Sequence, residues 1–163
     1  MIDDLDPGFS TVLRHEDARI GGGVAVADLD EHTGRVEPSH DPDKLGQIPH
    51  TTAGALAGDG DQVAVFVADL PRSGRWQLDY HVPDRHGLGP TYYPSFGALG
   101  TFDMTLVADG TETPVVFDGA TAETGWNKLG EYEFTGTEVR LEVSSRTEGE
   151  MVIADAIRWT PLD

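Results

Sequence analysis

Carboxylates are the most abundant chemistry-bearing side chains in this sequence, with 29 Asp and Glu against 11 Lys and Arg, and six histidines accompany them. Hard cations and proton transfers both use carboxylates, so the close pairs Asp28/Asp30, Asp41/Asp43 and Asp59/Asp61 could bind calcium or act as a glycosidase dyad. Each pair lacks the remaining positions of a calcium loop, and in so acidic a chain such pairs arise by chance and read as solvated. Imidazole can be a metal ligand or a general base near neutral pH. Yet His15, His32, His40, His50, His81 and His86 show no H-x-x-x-H spacing, and the chain has no G-x-S-x-G elbow. They read as solvated histidines. The Gly21-Gly22-Gly23 run precedes Val24-Ala25-Val26, whereas a dinucleotide loop follows a strand and opens a helix, so it reads as a backbone bend at a strand start.

One acid differs from the rest. Along residues 151–159 strict alternation puts Asp155 on the face of Met151, Ile153, Ile157 and Trp159 unless a bulge intervenes. A carboxylate there needs a cation, an arginine or several backbone N–H groups. The N-terminal segment offers Asp3, Asp4 and Asp6, of which Asp4 and Asp6 could join Asp155 around a structural calcium ion. The plainer alternative is that backbone N–H groups satisfy Asp155 and that it pins the N-terminal segment to the last strand.

Aromatic rings are the other means of recognition, because exposed rings stack on the apolar C–H faces of sugars. The aperiodic segment 84–100 carries Tyr92, Tyr93 and Phe96, with His86 beside them, among glycines and prolines. Loops held by a rigid scaffold commonly carry ligand contacts, although these rings could instead fold back as a lid over the core edge.

The elements that must position these groups are strands. Residues 62–70 (QVAVFVADL) are apolar on both faces, as expected of a strand covered on both sides. Residues 75–82 alternate Trp76, Leu78, Tyr80 and Val82 against Arg75, Gln77, Asp79 and His81. Asp109-Gly110 separates two alternating runs, 102–108 and 113–117, and predicts a tight hairpin. Further runs lie at 129–134, 138–143 and 151–159, while 51–60 could form one helical turn and 30–50 reads as a long loop. The periodicity places Trp76, Tyr80, Tyr132, Phe134 and Trp159 in the core. These patterns predict a single all-β domain over 1–163, an antiparallel β-sandwich of roughly eight to ten strands with a jelly-roll-like topology, to which the resemblance below adds the carbohydrate-binding-module type.

Composition narrows the function further. The absence of cysteine excludes a disulfide framework, thiolate metal sites and a cysteine nucleophile. A net charge of -18 repels nucleic-acid phosphates and anionic membranes, so neither is an expected partner. No apolar run approaches the ~20 residues of a membrane span, and the start MIDDLD lacks the basic and apolar regions of a secretory signal. An extracellular or periplasmic role therefore implies a larger protein whose export signal lies upstream of this domain.

Four segments taken together, DDLDPGF (3–9), ADLP (68–71), GWNKLGEYEF (125–134) and VIADAIRW (152–159), resemble in identity and order the golvesin C-terminal-like domain, also described as the xanthan-lyase carbohydrate-binding-like domain. The resemblance spans both ends and the middle of the chain, and residues 30–60 and 84–100 match poorly. It implies a non-catalytic β-sandwich attached to larger bacterial proteins such as polysaccharide lyases, peptidases or flavin-dependent oxidoreductases. No cofactor is implied. The implied partner is a polysaccharide or the neighbouring catalytic domain, and Asp155 and Trp126 are motif positions. With the loop residues Tyr92, Tyr93, Phe96 and His86 read above, Trp126 completes the expected ligand contacts. The alternative is a packing domain with no ligand of its own.

Overall fold

The computed structural model describes residues 1–3, 6–13, 53–82 and 99–163. Along them run β1 (Ile2–Asp3), β2 (Phe9–Leu13), β3 (Ala53–Leu56), β4 (Gln62–Asp69), β5 (Gly74–Val82) and β6 (Thr101–Ala108). β7 (Thr111–Asp118), β8 (Gly125–Phe134), β9 (Glu138–Ser144), β10 (Met151–Ala154) and β11 (Ala156–Pro161) follow. A four-stranded sheet of order β1-β11-β5-β8 packs on a five-stranded sheet of order β2-β4-β9-β6-β7, and β10 pairs with β3 in a short third ladder. The ladders among the described strands are antiparallel, which makes the fold the β-sandwich expected from the alternation.

The expected periodicities account for the layers. In β5 the side chains of Trp76, Leu78, Tyr80 and Val82 are buried between the sheets. In β4 four successive residues, Val63 to Phe66, are buried, so both faces of that strand are covered. β4 and β5 belong to different sheets, and the Pro71–Gly74 segment therefore carries the chain across the sandwich. At the centre Tyr80 meets Phe66, Phe102 and Phe117 with ring centroids 6.5, 6.4 and 5.3 Å away. The tilted and edge-on geometries suit the ring quadrupoles. A second aromatic group joins Trp159 to Tyr132 and Phe134.

Three local readings change. Residues 53–56, read as part of a helical turn, form β3, whose strand character comes from pairing with β10 and not from its own small residues. The run 151–159 is two strands, because the chain leaves β3 after Ala154 and joins β5 at Ala156. The strand expected at 129–134 begins at Gly125, with a register shift opposite Leu78/Asp79 that leaves Leu129 as an extra residue. Both long edges are blunted against further pairing, β7 by Pro114 and β8 by its bulge and its charged Lys128, Glu131 and Glu133.

The Asp109-Gly110 hairpin forms with positive φ at both positions, 51° and 72°, as a type I′ turn requires. The Asp109 carboxylate also accepts the N–H groups of Thr135 and Gly136, each at 2.7 Å, tying the hairpin to the β8–β9 connection. These bonds, Thr135 first, hold its carboxyl below the usual aspartate range. A lowered folded value stabilises the fold above the ordinary aspartate range, and the contribution is lost as pH falls through the lowered value. Asp109→Asn, which tolerates the same φ, should melt below the parent at neutral pH. The gap should close in strong acid, as thermal melts across pH would read directly.

Candidate functional site

The face of the four-stranded sheet turned away from the core carries a connected polar constellation around one indole. Alternation sends Gln77, Asp79 and His81 of β5 and Arg158 of β11 to this face, and the register sets Arg158 opposite Asp79 and Trp126 opposite His81. The β8 bulge makes the last alignment possible, since it returns β8 to phase with β5 on the Gly125 side.

Trp126 is 36% exposed, whereas Trp76 and Trp159 are buried. The Arg158 guanidinium lies over the Trp126 ring, 4.5 Å from its centroid, in cation–π geometry. The His81 ring meets it edge-on at 4.9 Å. Asp79 in turn holds Arg158 by accepting from Nε at 3.1 Å and Nη2 at 3.0 Å, and it accepts from Gln77 Nε2 at 2.7 Å. Asp79 is only 2% exposed although it points away from the core; its donors supply the bonds that a buried carboxylate requires. Beyond them Glu131 joins Lys128 Nζ, at 2.6 Å, and Arg75 Nη2, at 3.0 Å. These cations, Lys128 first, hold the Glu131 carboxyl below its usual range.

Asp155 belongs to the same constellation. It occupies the single residue between β10 and β11, is 4% exposed, and its Oδ2 pairs with His81 Nδ1. An imidazole is a partner that alternation along one strand could not reveal, because the two residues lie 74 positions apart. His81 is accordingly a partly buried, paired histidine and not a solvated one. The pair holds the imidazole against Trp126.

The other expected site residues lie elsewhere. Asp6 is exposed, and its carboxylate accepts the Asp3 N–H at 2.9 Å. Asp4, His86, Tyr92, Tyr93 and Phe96 lie outside the described residues. Among the described residues no three His, Asp or Glu side chains gather as cation ligands. Arg158, His81 and Asp79 were absent from the expected site. Alternation does place each on an outer face, but only the cross-strand register brings them to Trp126.

This arrangement can present a flat apolar ring, fixed on two sides, amid donors and acceptors that are already oriented. Rigid aromatic surface surrounded by satisfied polar groups binds ligands at low entropic cost. No family model matches the chain, and no curated protein matches it.

Proposed function

We propose that the chain is a non-catalytic module that binds neutral polysaccharide on the outer face of the four-stranded sheet, with Trp126 as the stacking platform. The supporting observation is the Trp126 ring itself, exposed on a sheet and braced by Arg158 and His81. The braces lower the ordering cost of stacking, and the charges of Arg158 and Asp79 are already paired. A net charge of -18 opposes polyanionic glycans, so a neutral chain is the expected ligand. In this reading the module serves an enzyme to which it is joined, outside the cytoplasm, in keeping with the golvesin-like resemblance.

Affinity electrophoresis in gels containing neutral or acidic polysaccharides tests the proposal. The parent should be retarded by at least one neutral glycan, and Trp126→Ala should weaken retardation about 30-fold, the factor for losing a central aromatic contact worth about 2 kcal/mol. Absence of retardation on every glycan, or retardation unchanged in Trp126→Ala, overturns it. A module that only packs against a neighbouring domain would give the first of these results.

A further inference from the structure

A second surface lies where the two sheets part beside the chain's first strand. β1 covers β11 only at Ile157 and Ala156, yet β11 runs on to Pro161. Leu162 N–H donates to Arg75 O toward β5 at 2.9 Å. The β11–β5 register is regular, so the backbone groups of Thr160 and Arg158 turn the same way and those of Trp159 turn to the opposite side. No described strand pairs with Trp159 there. On the facing sheet Val67 N–H donates to Gly8 O at 2.7 Å, and the same alternation leaves the Asp69 backbone turned to the open side beyond β2.

Between these two edges runs a groove of about 540 Å³. Trp159, Pro161, Pro7 and Val67 contribute apolar walls, and its acidic groups are Asp6 and Asp69. Both carboxylates belong to exposed residues, and no described cation pairs with either. An open strand edge offers backbone hydrogen bonds to an extended chain, apolar walls accept alternate side chains, and unmatched carboxylates favour a basic residue between them.

We propose that this groove binds an extended peptide carrying lysine or arginine, which adds to β11 as a strand with its basic side chain directed to Asp6 and Asp69. The added strand pairs the Trp159 backbone. The occupant is a protein segment in preference to a glycan, because the free groups, Trp159 N–H and C=O and Pro161 C=O, have the spacing of a partner strand and the two carboxylates favour a cationic side chain.

Selection from a displayed library of random octapeptides on the whole chain tests this. Enriched sequences should share a lysine or arginine, and a synthetic copy of one should bind at least tenfold more weakly to Asp69→Lys. N-methylation of its alternate amides should abolish binding, and hydrogen exchange at the Trp159 amide should slow in the complex. Trp126→Ala should bind the peptide as the parent does, which separates this groove from the proposed glycan face. Asp69 is exposed, and a thermal melt confirms that its variant is folded; Asp69→Asn provides a smaller perturbation of the same charge. No enrichment, enriched peptides without a basic residue, or binding indifferent to Asp69→Lys or to N-methylation overturns the proposal.

Discussion

Asp155→Ala should lower stability by about 2–3 kcal/mol, because it leaves the His81 ring without its hydrogen-bond partner at the junction of two strands. For a domain of this size that is a fall in melting temperature of about 5–10 °C. His81 is partly exposed and can recruit water in the variant, which places the figure below the cost of leaving a fully buried polar group unsatisfied. Asp155→Asn, which keeps the shape and one acceptor, should lose less. Adding EDTA should leave the parent's melting temperature unchanged. If instead EDTA lowers it in the parent and not in Asp155→Ala, the carboxylate holds calcium in preference to the imidazole.

Tyr80→Ala should cost more, about 4 kcal/mol, the middle of the range for deleting a large buried ring. Tyr80 is fully buried among Phe66, Phe102 and Phe117, and its hydroxyl donates to Ile153 O at 2.5 Å. Tyr80→Phe separates the two contributions: it keeps the ring and strands one carbonyl, for a loss of about 1–2 kcal/mol. Denaturant midpoints at constant slope would measure both variants. Burial, and secondly the nearby Asp155 carboxylate, push the Tyr80 hydroxyl well above the ordinary tyrosine value of 10.0. Below that value the hydroxyl is neutral folded and unfolded, and its contribution is complete. As pH rises past it only the unfolded chain ionises, so stability falls, and the absorbance change of one tyrosine should coincide with alkaline unfolding.

Elements whose identity is local were legible in the sequence. The alternation of β5 named its buried face, the unbroken apolar run of β4 announced cover on both sides, and Asp109-Gly110 specified its turn by the φ values those residues tolerate. What was hidden depends on pairing between distant segments. β3 is small and neutral in character, and only its ladder with β10 makes it a strand. The bulge at Leu129 appears in the register against β5 and in no pattern within β8 alone, yet it decides that Trp126 shares a face with Arg158. Asp155 was singled out correctly as a carboxylate in need of a partner. Its partner could not be named, because the change of neighbour between β10 and β11 is a property of the sheets. Asp79 shows the converse: alternation gives its direction, and burial beneath Arg158 and Gln77 follows from the arrangement of the whole face.

The glycan-binding claim rests on a single exposed indole, and the other two tryptophans are only 3% and 9% exposed. Acrylamide quenching of tryptophan fluorescence therefore reports chiefly on Trp126. With a saturating oligosaccharide cut from the glycan that retards the protein, quenching should fall to the level of the ligand-free Trp126→Phe variant. Quenching that stays at the parent's ligand-free level while the sugar is bound would contradict the account, since the bound glycan would then lie somewhere other than on this face.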